Sequence, residues 1–204
     1  MHYILNIKSI RFLRELIDIY KQPRNSSRKI FMIGKTVIGK TYNVLILGSG
    51  NSARSIMAEA LFNTMGSGVF VGYSAGSAPT GVVNRFAIEE IKSTGYPIKN
   101  LKSKSWDEFS QPGAPVMDFV ITVCDDVAKN RLPLWHGNPV TAHWGFDDPV
   151  IVGGSFEEKK EAFKKVFLQI RNRIDLFTQL PLAHLDQLSL NREMEKWEIH
   201  QQVN

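Results

Sequence analysis

The feature that most constrains this chain is a hydrophobic period that switches back and forth from Tyr42 onward. Asn43–Leu47 (NVLIL) is an unbroken apolar run, the pattern of a strand buried on both faces. GSGN follows, and Ser52–Met65 then carries Ile56, Met57, Ala60, Leu61 and Met65 at helical spacing. Val69–Tyr73, Met117–Val123 and Val140–His143 repeat the strand pattern. Val82–Ser93, closed by Gly95 and Pro97, and Phe156–Phe177 repeat the helical one, and Leu185–Glu198 reads as a further helix after the LPL break. Strands joined through helices are parallel, and a parallel sheet needs cover on both faces. The expectation is a doubly wound three-layer α/β/α domain with a short parallel sheet of about four strands.

Charge divides the chain. Of 25 Lys and Arg and 20 Asp and Glu in 204 residues, residues 1–40 hold nine bases against Glu15 and Asp18. The remaining 164 residues carry 16 bases and 18 acids, so the net +5 splits into +7 and −2. A −2 body has no general excess of charge for phosphate backbones, and nucleic acid is not an expected partner. Residues 1–40 are read as a basic N-terminal extension and residues 41–204 as the domain. Within the extension, residues 1–22 are loosely amphipathic and PRNSSRK (residues 23–29) is a polar linker. Contact with a membrane surface or a presequence role are the alternatives to a plain extension.

Cys124 is the sole cysteine. That excludes an internal disulfide, a multi-cysteine zinc site and an intramolecular dithiol cycle, and the absence of a signal-peptide pattern points to the reducing cytoplasm. His143 has no second His or Cys at ligand spacing, and His136, His184 and His200 are scattered. No metal and no cofactor is expected.

Two segments resemble phosphate loops. Gly34–Thr41 (GKTVIGKT) fits the G-x-x-x-x-G-K-[ST] pattern, but Thr41 runs directly into the NVLIL strand, where that motif requires a helix. Gly48–Ser55 (GSGNSARS) has the right context, between a strand and a helix. There, successive amides and the helix dipole converge on an anion. Arg54, in the first helical turn, offers a planar fork for two oxygens of a tetrahedral oxyanion. The expected oxyanion-binding set is Ser49, Gly50, Asn51, Ser52, Ala53 and Arg54.

The stretch VLILGSGNSARSIMAEA resembles the phosphate loop of the low-molecular-weight protein tyrosine phosphatase fold, and the arsenate reductases of that fold in particular. Ser74–Gly81 (SAGSAPTG), Lys104–Phe109 (KSWDEF), Met117–Asp126 (MDFVITVCDD) and Pro139–Pro149 (PVTAHWGFDDP) extend the resemblance over about residues 42–200. The resemblance implies a loop cysteine that attacks phosphorus or arsenic as a thiolate. Here that position is Gly48, which has no side chain. Arg54 matches the clamp, Ser55 the hydroxyl that steadies the thiolate, and Asn51 the residue that holds the loop's shape. Asp148 of Asp148-Pro149 matches the general acid, with Asp147 beside it as a second carboxylate. Ser49 and Ser52 are poor replacement nucleophiles, because an alkoxide is far harder to form than a thiolate. Cys124 matches one family redox cysteine, and otherwise reads as a small buried hydrophobe. The partner implied eight residues on is Leu132. Asn84-Arg85 stands where the family commonly shows Asn-Pro.

The implied function is arsenate reductase or phosphatase chemistry, with catalysis impaired at Gly48. Arsenate, phosphate or a phosphorylated substrate is the expected partner, and a thioredoxin or glutaredoxin thiol donor enters only if reduction survives. The alternatives are a non-catalytic oxyanion- or phosphoprotein-binding module and a degenerate gene copy.

Overall fold

The computed structural model describes residues 40–129 and 132–180. The extension up to Gly39 and the expected helix at Leu185–Glu198 lie outside the described residues. Within them the order is β1 (Tyr42–Gly48), α1 (Arg54–Met65), β2 (Phe70–Gly76), α2 (Arg85–Lys92), β3 (Phe119–Thr122), α3 (Asp125–Lys129), β4 (Val140–His143) and α4 (Phe156–Thr178). The strands form one parallel sheet in the order β2-β1-β3-β4. Thr41 enters β1 directly, so no helix follows GKTVIGKT.

The apolar run in β1 alternates between two cores. Val44 and Ile46 pack with α1, α2, α4 and Trp144, whereas Leu45 and Leu47 face Ala75, Phe109, Met117, Val120, Cys124 and Val127. All four β1 side chains are fully buried. In α4, residues Phe163, Val166, Phe167, Ile170, Ile174 and Phe177 form the buried stripe, as the spacing required. Phe177 closes an aromatic cluster, with its ring 5.6 Å from Phe62, 5.1 Å from Phe119 and 5.6 Å from Trp144. Each such buried ring contributes about 1.5–3 kcal/mol.

The two outer layers are unequal. α1, α2 and α4 all place their buried residues in the first core. The second core is covered by α3, a 3-10 turn at Trp106–Phe109 and loops. These pieces are too short to carry a readable helical period, and the sequence reading missed them. α2 starts at Arg85 rather than Val82 because the Asn84 side chain accepts from the Phe86 amide and caps it. Arg85 lies over the Phe86 and Phe156 rings.

β1 sits between β2 and β3, so the first crossover leaves it on one side and the second returns on the other. Ligands in such sheets bind at this switch point, beyond the carboxyl ends of the strands. The loop from Gly48 to Arg54 occupies that place.

Candidate oxyanion-binding site

The loop turns its carbonyls outward. Gly48 O accepts from the Ser77 amide, Ser49 O from Ala78, Gly50 O from Thr80, Ser52 O from Asn84 and Ala53 O from Met57. Among the described residues, no hydrogen bond takes the amides of Ser49, Gly50, Asn51, Ser52 or Ala53. Ala53 at the N-cap has no side chain to satisfy the first-turn amides of α1, and no acid stands in that turn. Consecutive unclaimed N–H groups at a helix N-terminus form a concavity suited to an anion.

The fold holds this shape from below. Asn51 has φ 43°, in the left-handed region that Asn tolerates better than most residues. Its Nδ2 donates to Ser55 Oγ (3.0 Å) and Ser74 Oγ (2.9 Å), and its Oδ1 accepts from the Lys104 amide (2.9 Å). The Ser74 hydroxyl donates to Glu59 Oε2 (2.5 Å), which also faces Lys104 Nζ at 3.5 Å. Asn51, Ser55, Glu59 and Ser74 are all buried. Each member of the network has a partner, which is what makes a buried polar cluster tolerable.

Burial pushes the Glu59 carboxyl above its ordinary value, opposed by the Lys104 charge and the Ser74 hydroxyl. A raised native pKa means that the folded chain holds this proton more tightly than the unfolded one. The stabilising contribution is complete below the unfolded value of about 4.3 and is lost as pH rises through the native value. Glu59→Gln should therefore flatten the fall in stability as pH rises above the unfolded value of about 4.3, read from urea midpoints.

Arg54 lies at the loop's open end. Its Nη2 pairs with Asp148 Oδ2 at 2.7 Å, and its Nη1 donates to the Phe146 carbonyl at 2.9 Å. Asp147 faces elsewhere, 3.4 Å from Lys165 Nζ and largely exposed. Cys124 is buried in the second core, and its Sγ lies 3.2 Å from Ser49 Oγ, so it reaches the edge of the loop. Leu132 packs against that same core. His143 Nδ1 lies 2.8 Å from Thr122 Oγ1 and its Nε2 3.0 Å from Asp125 Oδ1, which ties the ends of β3 and β4 together.

Gly48 closes β1, paired with Gly76 of β2. A Cβ at position 48 would lie 3.2 Å from Ser55 Oγ and 3.8 Å from Val123 Cγ2. Gly48 and Asn51 thus meet at Ser55, and Arg54 meets Asp148. Glu59, Ser74 and Lys104 were missed as site residues, although SAGSAPTG and KSWDEF begin at Ser74 and Lys104.

Comparison with known proteins decides the family. Residues 43–191 match the family described as low molecular weight phosphotyrosine protein phosphatase. The chain belongs to that family. Within this phosphatase family, arsenate reductases are similar over most of their length. That of Bacillus subtilis is 35% identical over 136 residues, covering 67% of this chain and 94% of the relative. That of Oceanobacillus iheyensis is 34% identical over the same length and shares. A solved structure described as an arsenate reductase in the phosphate binding state has a TM-score of 0.55 at 25% identity, covering 68% of this chain and 97% of that one. The family's name points to phosphotyrosine and that of these relatives to arsenate, both with a tetrahedral oxyanion centre. Among the described residues, no helix is long and apolar enough to cross a membrane.

Proposed function

We propose that this chain binds a tetrahedral oxyanion, arsenate or phosphate free or as a monoester, and does not carry out the covalent chemistry of its relatives. The observation that carries this reading is the run of five amides, Ser49 to Ala53, that donate to no described residue while the carbonyls of Gly48, Ser49, Gly50, Ser52 and Ala53 are engaged. Arg54 stands beside them as the clamp, and α1 adds its dipole. Glycine at position 48 supplies no atom to attack phosphorus or arsenic. The atoms nearest a side chain there belong to Ser55 and Val123, not to Cys124. What remains is electrostatic stabilisation of a bound anion, which without a nucleophile forms no cysteinyl intermediate. With no such intermediate, a thioredoxin or glutaredoxin donor has nothing to resolve. A reducing, cytoplasmic setting fits the lone Cys124. The fully partnered network under Asn51 argues against a decayed copy, because drift would leave buried polar atoms unpaired.

Two measurements test this. The native chain should release no p-nitrophenol from p-nitrophenyl phosphate and consume no arsenate with thiols present. Phosphate should bind it by calorimetry, and Arg54→Ala should weaken that affinity about 30-fold or more, since a charge-assisted contact is worth about 2 kcal/mol or more. Unchanged affinity in the variant, or turnover by the native chain, would defeat the proposal.

A further inference from the structure

We infer that Asp148 makes this site a selector for oxyanions that carry a proton, phosphate and arsenate in their hydrogen forms, against sulfate. The inference rests on the oxyanion-binding reading above and adds the ligand's protonation state to it. Both terminal nitrogens of Arg54 already have partners, Asp148 Oδ2 at 2.7 Å and the Phe146 carbonyl at 2.9 Å. Asp148 is itself held in place, because its Oδ1 accepts from the Val150 amide at 3.0 Å. Arg54 is only 14% exposed and Asp148 31%, so the pair is partly withdrawn from water.

An oxyanion clamped by Arg54 must share Nη2 with this carboxylate or displace it. With Asp148 Oδ2 on one hydrogen of Nη2 and an anion oxygen on the other, a second oxygen of the same tetrahedral anion is brought toward Oδ2. An ionised carboxylate only accepts hydrogen bonds. Sulfate is fully deprotonated near neutral pH, so acceptor meets acceptor and two negative charges meet in a half-desolvated place. Inorganic phosphate has three ionisable protons and gives up at most two of them near neutral pH, so it keeps at least one O–H to donate. That O–H gives a short charge-assisted bond to Oδ2 while a neighbouring oxygen accepts from Arg54. Arsenate has the same protonation chemistry. Lys165 of α4 lies against Asp147, not Asp148.

The test is calorimetric titration of the full chain with phosphate, arsenate and sulfate near neutral pH at fixed ionic strength. Phosphate and arsenate should bind within a few-fold of each other, and sulfate on the order of tenfold or more weaker. In Asp148→Asn the amide both donates and accepts, so sulfate should gain and the phosphate-to-sulfate ratio should move toward one. Asp147→Asn, at an exposed neighbour, should leave the ratio as in the native chain. Thermal melts of both variants check that the fold is retained, and Asp148→Ser gives a second replacement that keeps a donor. Equal binding of phosphate and sulfate by the native chain, or a ratio unmoved by both Asp148 variants, would overturn the selector while leaving oxyanion binding intact. If no anion binds the native chain, the oxyanion reading fails and the selector with it.

Discussion

Gly48→Cys is expected to turn a silent protein into one that hydrolyses p-nitrophenyl phosphate, with a gain on the order of a thousandfold or more over the native chain. Three features of the loop support this. Gly48 is a strand residue paired with Gly76 and is absent from the glycines of positive φ, so its backbone accepts an L side chain. A Cβ there lies 3.2 Å from Ser55 Oγ, a tight contact that a small rotation of one hydroxyl side chain relieves. Asn51 Nδ2 donates to that same oxygen, which leaves the Ser55 proton free to donate to a sulfur above it. A thiolate so placed would meet the unclaimed amides of Ser49 to Ala53, and Arg54 would lower its pKa further. Asp148 would stand beside the leaving oxygen as the general acid. Release of p-nitrophenol by native and variant chains, assayed side by side at mildly acidic pH, checks the outcome. Silence from both would mean that the loop is not shaped for phosphoryl transfer.

The second large effect is expected at Gly76. A Cβ there would collide with the Ser49 carbonyl oxygen and lie 3.0 Å from both the amide nitrogen and the Cβ of Asn51. These are mostly backbone atoms of the loop, fixed by the Ala78 and Lys104 amides, and they cannot swing away as a flexible side chain could. Gly76→Ala should cost about 3 kcal/mol or more, with a fall in Tm of roughly 6–12 °C. Phosphate binding should be lost with it, since the displaced atoms belong to the loop. Gly153→Ala is the control. Nothing lies within 4 Å of its added Cβ, and the change should stay within about 0.5 kcal/mol. A melt that leaves Gly76→Ala near the native value would mean that the loop yields more easily than its hydrogen bonds suggest.

Much of this was legible in the sequence because it follows from period and local chemistry. Val44–Leu47 are fully buried because both faces of β1 are covered, and the stripe that α4 buries repeats at helical spacing. Asn51, Arg54 and Ser55 were readable because they lie within five residues of one another on one loop and helix start. The partner of Arg54 was not. Its contact with Phe146 spans 92 positions, and the sequence offered Asp147 and Asp148 side by side. Only the turn of the chain after Trp144 sends one carboxylate to Arg54 and the other to Lys165. Glu59 was hidden for a different reason. A carboxylate on the buried face of an apolar helix looks like an error until Ser74 and Lys104, from separate segments, are found around it. Cys124 divided the sequence reading between hydrophobe and redox group, and it lies buried in the second core with its sulfur against Ser49.

The claim at the centre is that the loop amides remain committed to an anion although Gly48 provides no nucleophile. Amide-resolved NMR of the full chain, titrated with phosphate, reads it most directly. The largest shifts should fall on the amides of Ser49, Gly50, Asn51, Ser52 and Ala53 and on the Arg54 side chain, and in Arg54→Ala the loop amides should need about 30-fold more phosphate, or above, to shift. Shifts scattered over surface lysines, or none at all in the loop, would contradict it.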